Sequence, residues 1–262
     1  MTAALVVLCG IFGLIVGSFL NVVVWRLPRG ESVVRPRSHC PACGAGIRPR
    51  DEIPVLSWLL LRGRCRDCGT RISGRYPAVE TLTAVVFAVL ALRFSHSAPA
   101  ESWRVLPAFL YVGAVGIALA LIDLDTHRLP DKLTLPSYGV GAVLLGASLL
   151  AGVPAKNALH ALAGALIMFG IYFSLCFAYP KGMGFGDVKL AGVLGLYLGW
   201  LGWETLAVGL LLGWFSGGLL GAALLATKRA GRKSMIPFGP FMVVGALGAI
   251  VFGAPIIRVW LP

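Results

Sequence analysis

Two polar segments of this sequence carry aspartates directly beside long apolar runs. The first segment, IDLDTHRLPD at 122–131, follows the apolar run 105–121 and contains Asp123, Asp125 and Asp131. Asp123 is predicted at the C-terminal end of a helix, where the helix macrodipole disfavours an anion. It also lies at the edge of an apolar segment, where carboxylates are costly and usually functional. Such a placement is typical of a group that transfers protons.

The other two aspartates of this segment have simpler interpretations. Asp131 follows a Leu-Pro pair and precedes the next apolar run, which is an ordinary position for a helix N-cap. Asp125 could be a solvated loop residue. Asp123 is therefore the candidate catalytic residue of the first segment.

The second polar segment, KGMGFGDVK at 181–189, contains Asp187 at the start of another apolar run. Capping of that helix is the simple explanation for Asp187. It does not explain Gly182, Gly184 and Gly186, because a capped turn needs one glycine at most. Three glycines in five positions permit positive φ angles and allow another backbone to approach closely.

Acid–base catalysis is the chemistry that two such aspartates offer. If Asp123 and Asp187 lie close together, they cannot both ionise cheaply, so they share a proton. One carboxylate then acts as a base on water and the other as an acid toward a peptide carbonyl, as in aspartic proteases. The sequence places both on one side of the predicted membrane helices and leaves their separation open.

Membrane helices are the elements predicted to position these loops. The chain of 262 residues is 58% hydrophobic and 13% charged, with a mean hydropathy of +0.85, far from the composition of a soluble domain. A helix needs roughly 20 apolar residues to cross a bilayer. We therefore predict an all-α polytopic membrane protein with about eight transmembrane helices. The apolar segments lie at about 4–25, 78–94, 105–122, 133–152, 158–178, 188–201, 204–226 and 239–257.

The distribution of Lys and Arg predicts the orientation of these helices. Nineteen of the 23 basic residues fall in four loops on one side, eleven of them in 26–76. We expect those loops to be cytoplasmic and both termini to lie outside. This asymmetric distribution accounts for most of the net charge of +12, so nucleic-acid binding is not needed to explain it.

The basic loop 228–233 is interpreted as an element that sets orientation and contacts lipid headgroups. Residues 1–25 are interpreted as an uncleaved first helix.

The insert 26–77 contains two CxxC motifs, CPACG at 40–44 and CRDCG at 65–69. Two such motifs separated by 21 residues can place four thiolates tetrahedrally around Zn²⁺. The predicted ligands are Cys40, Cys43, Cys65 and Cys68. Because four Cys ligands leave no open coordination position, the metal would be structural. Two redox pairs or a metal-free loop are the alternatives, and His39 is not expected to be a ligand.

Three regions follow from these patterns. Residues 1–25 form a first transmembrane helix, 26–77 a cytoplasmic zinc-binding insert with four Cys ligands, and 78–262 a transmembrane catalytic bundle of about seven helices. Cys9 and Cys176, which lie in apolar segments, are expected to be packing residues.

At this point the motifs resemble those of a known family, the bacterial type IV prepilin peptidases, which are membrane-embedded aspartic proteases of the GxGD type. The similar motifs cover nearly the whole chain. They are GSFLNVVVWRLP at 17–28, the two CxxC motifs, DEIPVLSWLLLRGRCRDCG at 51–69, ISGRYPAVE at 72–80, the two aspartate segments and IPFGPF at 236–241.

The resemblance implies that Asp123 and Asp187 are the catalytic pair of an endopeptidase. Its substrates would be the leaders of type IV prepilins and of type II secretion pseudopilins, cleaved at the cytoplasmic face of the bacterial inner membrane. Many family members also methylate the new N-terminus with S-adenosylmethionine, an activity we assign to the insert with Glu80 and Glu52. Many members have Asn where this chain has Glu52, a difference that bears on methyl transfer and not on proteolysis.

Other residues of the second loop are candidates for substrate binding. Gly184 and Gly186 would let the substrate backbone approach. Lys189 could contact a substrate carboxylate or lower the pKa of a catalytic aspartate. The alternative is that its side chain extends to the lipid headgroups. We expect the catalytic pair itself to need no metal.

Two other classes of protein could account for the aspartates. An ion-coupled transporter usually carries its acids near the bilayer midplane on broken helices, whereas these acids lie at one edge. A non-catalytic zinc-containing assembly scaffold would tolerate Asp→Asn changes and offers no reason for the glycines. The expected partners are pilin precursors and the lipid bilayer, and the sequence leaves the oligomeric state open.

Overall fold

The computed structural model describes residues 2–95, 102–180, 182–227 and 237–260. The chain divides into two compact units, Met1–Ser95 and His96–Pro262. The helix that follows the insert therefore groups with the first helix, and the three-region division stays a prediction. The basic loop 228–233 lies outside the described residues.

The described residues are almost entirely helical, as predicted. The first unit contains α1 (Thr2–Arg26), the short α2 (Leu56–Leu60) and α3 (Arg75–Ser95). The second contains α4 (Leu106–Thr126), α5 (Asp131–Leu150), α6 (Lys156–Ala178), α7 (Phe185–Leu201), α8 (Trp203–Ala226) and α9 (Gly239–Trp260). In the described parts of the chain, extended pairing is confined to two isolated bridges within the insert.

Eight of these helices are long, which matches the predicted number of apolar segments. By length and hydropathy, six of the described helices can each span a membrane, namely α1, α3, α4, α5, α6 and α8. The other two, α7 with 17 residues and the described apolar part of α9, Gly239–Gly253, are shorter. The chain is a multi-pass membrane protein, and fewer of its described helices are long and apolar enough to span a membrane than the eight predicted.

In the first unit, α1 and α3 pack with their backbones in close contact. Gly13 and Gly17 form a GxxxG pattern, which permits such approach between membrane helices. A Cβ atom at Gly13 would lie 2.7 Å from the Cα of Ala84, and one at Gly17 would lie 2.7 Å from the Cα of Glu80. Glycine at these positions thus fixes where Glu80 lies along α1.

In the second unit, α4 and α7 are the most enclosed helices. Twelve of the 17 residues of α7 are buried, compared with three of the 24 in α8. The α7 helix packs against α4, α5, α6, α8 and α9. A helix surrounded in this way is apolar on all sides. The two predicted catalytic aspartates lie on these two buried helices, Asp123 on α4 and Asp187 on α7.

Candidate active site and cysteine cluster

Asp123 lies in the last turn of α4, and its side chain is buried. The carboxylate lies at the negative end of α4, but it also has a favourable hydrogen-bond partner. The backbone N–H of Gly239, the first residue of α9, donates a hydrogen bond to Asp123 Oδ2 at 2.9 Å. The positive N-terminal end of α9 therefore offsets the unfavourable macrodipole of α4. His127 ends α4 in the left-handed region (φ +52°), with its N–H donating to the Asp123 carbonyl.

Asp187 lies in the first turn of α7 and is also buried. The N–H of Gly184 donates to Asp187 Oδ2 at 3.1 Å, and the N–H of Asp187 donates to the Gly184 carbonyl. Asp187 therefore does cap its helix, from the third helical position and not as the N-cap residue. Capping by itself does not require burial, since most capping carboxylates are at the surface.

Leu129 brings the two aspartate loops together. A Cβ atom at Gly186 would lie 3.0 Å from Leu129 Cβ, and one at Gly239 would lie 3.4 Å from Leu129 Cδ2. The Leu129 side chain thus packs between the glycine next to Asp187 and the glycine that binds Asp123. The two carboxylates also lie within electrostatic reach of each other.

This arrangement can carry out acid–base chemistry. Each carboxylate is removed from water and receives one backbone N–H, and neighbouring carboxylates of this kind share a proton instead of both ionising. A proton-sharing pair supplies a base and an acid at the same place. The roles of Asp123 and Asp187 as a catalytic pair stay a prediction, which their burial and their backbone hydrogen bonds support.

The third participant, the start of α9, is the part of the site that sequence reasoning missed. The segment IPFGPF was noted only for its resemblance. Its signal was a glycine followed by Pro240 in the first turn of an apolar helix, a common way to begin a helix. Nothing local indicated that the N–H of Gly239 would reach a carboxylate 116 residues earlier.

Two glycines of the second loop, Gly182 and Gly186, serve close packing. Among the described residues, Gly182, Gly184 and Gly186 are absent from those with positive φ, so the conformational reason given for them is wrong. Gly186 gives room to Leu129, and a Cβ at Gly182 would collide with the Tyr179 ring. A Cβ at Gly184 would make only ordinary contacts, the nearest 3.6 Å away.

Asp131 and Lys189 form an ion pair between the two aspartate segments, 122–131 and 181–189. Lys189 Nζ donates to both carboxylate oxygens of Asp131, at 2.7 and 2.8 Å. Lys189 also lies over the Phe185 ring, 5.2 Å from its centroid. Asp131 is the first residue of α5 and makes no side-chain capping bond, so its predicted N-cap role is wrong. The pair instead joins the start of α5 to the start of α7.

The four predicted cysteine ligands converge in the first unit. The Sγ atoms of Cys40, Cys43, Cys65 and Cys68 all lie within 4.8 Å of one another, with 3.8 Å between those of Cys40 and Cys68. Four thiolates around zinc at 2.3 Å would be about 3.8 Å apart. The cluster could hold a metal ion. Among the described residues the cluster consists of the four cysteines, and the exclusion of His39 as a ligand stays a prediction.

The two cysteine motifs have the same backbone geometry. Gly44 and Gly69, each following the second Cys of its motif, both have φ of +72°. Each donates its N–H to the carbonyl of the first Cys, at 2.8 and 3.0 Å. These turns point backbone and sulfur atoms toward a common centre, which is why glycine follows each motif.

One ion pair and one tryptophan connect the second cysteine motif to the rest of the insert. Arg66 donates two hydrogen bonds to Asp51, at 2.8 and 2.6 Å, and this guanidinium holds the pKa of the Asp51 carboxyl below its usual range. The Trp58 indole N–H donates to the Ile72 carbonyl at 3.1 Å. These contacts attach the second motif to the segment that contains Glu52.

Glu80 and Glu52 occupy different environments. Glu80 is buried on α3, accepts a hydrogen bond from the Val55 N–H at 2.7 Å and is bonded by the Ser18 side chain. Val55 has an unfavourable φ of +60° for a β-branched residue, so the carboxylate stabilises a strained turn. Glu52 lies exposed at the end of the preceding 3-10 turn, Pro49–Asp51.

The fold and the site define a multi-pass membrane protein with a buried aspartate pair and a four-cysteine cluster. Residues 11–94 match the Bacterial Peptidase A24 N-terminal domain, and residues 108–224 match the Type IV leader peptidase family. No solved structure matches the chain significantly.

Curated relatives match over nearly their whole length. The prepilin leader peptidase/N-methyltransferase of Aeromonas salmonicida is 37% identical, over 96% of this chain and 92% of the relative. The type 4 prepilin-like proteins leader peptide-processing enzyme of Escherichia coli O78:H11 is 38% identical, over 96% of both chains. The prepilin leader peptidase/N-methyltransferase of Pseudomonas aeruginosa is 35% identical, over 97% and 93%. The chain belongs to the type IV leader peptidase family.

Proposed function

We propose that this protein is an aspartic endopeptidase that removes the leader peptide of type IV prepilins and type II secretion pseudopilins. The observation that carries the proposal is the pair of buried carboxylates, Asp123 and Asp187, each hydrogen-bonded by a backbone N–H. The names of the curated relatives supply the substrate class.

Peptide hydrolysis by the pair would need no other protein nucleophile. One aspartate takes a proton from water while the resulting hydroxide adds to the scissile carbonyl carbon, and the other donates its proton to the carbonyl oxygen. When the carbon–nitrogen bond breaks, the aspartate that took the proton from water gives it to the leaving amine, and the other aspartate takes a proton back from a hydroxyl of the tetrahedral intermediate. Because Gly239 and Gly184 each bind Oδ2, the Oδ1 atoms would face the water and the substrate.

Two neighbouring residues would contact the substrate, and a third would shape the site. Gly184 is exposed and a Cβ atom there would make only ordinary contacts, which would leave its backbone open to an extended peptide, whereas the space at Gly186 is filled by Leu129. Gly186 would therefore act by letting Leu129 shape the site. Lys189, the second contacting residue, would offer a cation to a substrate carboxylate from its ion pair with Asp131.

Methylation of the new N-terminus is the second proposed activity, because several relatives are named N-methyltransferases. S-adenosylmethionine, when bound, supplies the methyl group to the amine. Its sulfonium is a cation, and the buried Glu80 carboxylate fits that charge. The exposed Glu52 would contribute at the surface of the same unit. The support for these two residues is their charge and position in the first unit.

Zinc is the metal we propose for the cysteine cluster, since four thiolates at tetrahedral separation suit it. Its role would be structural. The insert is short of apolar core, and a metal would stabilise the turns around the two motifs.

Removal of one thiolate should release this metal. We expect Cys43→Ser to reduce bound zinc from about one ion per chain to almost none, measured by mass spectrometry of the purified protein. The insert should also become sensitive to protease. Cys9→Ala is the matched control, because Cys9 is buried in α1 away from the cluster. Wild-type protein without zinc, or zinc retained in Cys43→Ser, would contradict the assignment.

The cytoplasmic membrane is the proposed location, with the insert and the active site on the cytoplasmic side and both termini outside. The asymmetric distribution of Lys and Arg supports this orientation. Substrates would then be processed before their apolar segments are assembled outside the membrane.

Incubation of the purified chain in nanodiscs with a prepilin tests the proposal. We expect the mass of the pilin to fall by that of the leader, and to rise by one methyl group when S-adenosylmethionine is added. Absence of cleavage, together with proton flux in vesicles, would favour the transporter instead. Absence of both would favour the scaffold.

A further inference from the structure

The short helix α2 exposes leucines and buries a serine. Leu56, Leu59 and Leu60 are 49%, 58% and 73% exposed, and their i, i+3, i+4 spacing places them on one face of the helix, the leucine face. On the other side, Ser57 is buried and donates its hydroxyl hydrogen to the Arg50 carbonyl at 2.9 Å. This is the reverse of a helix in water, which keeps its apolar side against a core.

The register of α1 and α3 fixes the level of this segment. The Asn21 side-chain amide donates to the Tyr76 carbonyl at 3.2 Å. One turn further into both helices, Gly17 packs against Glu80. The Glu80 carboxylate accepts the N–H of Val55, directly before α2, at 2.7 Å. Val55 is therefore tethered to a residue that lies five positions, about 8 Å, inside α3.

Both helices present apolar side chains outward at the level of this tether. Phe19 on α1 and Leu82 on α3 are exposed, and α1 and α3 are each long and apolar enough to span a membrane. Trp25, in the last turn of α1, is also exposed and lies beneath the Arg29 guanidinium, an arrangement typical of the membrane–water interface. Because Glu80 lies on the bilayer side of Trp25, the tether holds α2 at the boundary between headgroups and acyl chains.

Arginines directly follow the leucine face. Arg62 and Arg64 come two and four residues after Leu60, and both are exposed. A guanidinium matches the geometry of a phosphate group, and anionic lipids attract basic segments close to the membrane. Apolar side chains beside cations at the headgroup level are the pattern of an interfacial helix.

We propose that α2 is an interfacial anchor. Its leucine face enters the lipid leaflet on the side of the insert, and Arg62 and Arg64 bind the phosphates of anionic phospholipids. The anchor holds the insert, with its cysteine cluster, against the membrane surface. Lipid is favoured over a protein partner because the tether at Glu80 places the leucines where lipid already surrounds α1 and α3.

Spin labels on the leucine face test the anchor. Leu60→Cys and Leu59→Cys each carry a nitroxide, in the full chain, with one chain per nanodisc and anionic lipid in the bilayer. Cys9→Ala and Cys176→Ala remove the two cysteines outside the cluster, and the protein without an added cysteine gives the background signal. We expect both labels to collide more with oxygen, which concentrates in lipid, than with a water-soluble nickel chelate. Their depth should be about 5–10 Å into the boundary between headgroups and acyl chains.

Val34→Cys is the matched control. Val34 is another exposed apolar residue of the insert, with 75% of its surface exposed. Its N–H donates to the Ser32 hydroxyl, and the Ser32 carbonyl accepts a hydrogen bond from Arg26 at the end of α1. This label lies beyond the membrane end of α1, so it should collide more with the nickel chelate than with oxygen.

Three results would overturn the anchor. A Leu60 label that meets the nickel chelate as often as the Val34 label does would place α2 in water. A label shielded from both probes would show that protein covers the leucine face. Arg62→Gln combined with Arg64→Gln should make the Leu60 label shallower, and an unchanged depth would contradict phosphate binding. The measurement needs no cleavage activity, so it can fail while the proposed function holds, and the reverse.

Discussion

Asp123→Asn and Asp187→Asn should each lower the rate of prepilin leader cleavage by at least about 1,000-fold. General acid–base catalysis contributes about 10²–10⁴-fold per group, and the reaction requires both a base and an acid. Asn keeps the shape of the side chain and can still accept the backbone N–H of Gly239 or Gly184. The loss would therefore reflect the titratable group and not the fold. The loss is measured as the rate of single-turnover leader cleavage, with mass spectrometry as the detection method.

Asp125→Asn is the internal control for these variants. Asp125 lies two residues after Asp123 in the same helical turn, with an exposed side chain. We expect wild-type cleavage within about twofold, since exposed charges contribute little. Thermal unfolding of all three variants checks folding. Wild-type activity in either buried-aspartate variant would return that residue to a purely structural role.

The second large effect is expected from Gly239→Ala. A Cβ atom at this position would lie 2.8 Å from Asp123 Oδ2 and 3.4 Å from Leu129 Cδ2. Neither group can move without disturbing the site, because Leu129 also packs against Gly186. A displacement of about 1 Å at a catalytic group costs about 100-fold in rate. We expect a loss of that size in kcat for leader cleavage.

Gly248→Ala on the same helix is the comparison for Gly239→Ala. Its nearest contact would be Leu212 Cδ1 at 3.4 Å, from the end of a flexible side chain. Replacing a helical glycine by alanine stabilises a helix by up to about 1 kcal/mol, so activity and stability should be maintained. If Gly239→Ala retained full activity, the start of α9 would have no part in orienting Asp123.

The features that the sequence predicted well are those with local signals. Long apolar runs produce long helices in any context, so eight of them could be located, although α7 begins at Phe185, three residues before the predicted limit. The CxxC-Gly motifs carry their own turn geometry, which is why the cysteine cluster could be predicted in detail. The position of Asp123 at a helix end was equally local.

The features that could not be predicted depend on contacts distant in sequence. Asp131 looked like a cap because it follows Pro130, but Lys189 lies 58 residues later and takes the carboxylate instead. Leu129 is an apolar residue that no sequence pattern singles out, and yet it packs between the two aspartate loops. The role of Gly239 likewise becomes visible only when the start of α9 is placed beside Asp123.

The central claim is that Asp123 and Asp187 act together on one water molecule. The most direct test compares the double variant, with both residues changed to Asn, against each single variant under single-turnover conditions. Groups that act as a unit are strongly non-additive. We therefore predict that the double variant cleaves prepilin no more slowly than the slower single variant. Losses that multiply, so that the double variant is about 1,000-fold slower again than either single variant, would show that the two aspartates act independently and would contradict the account.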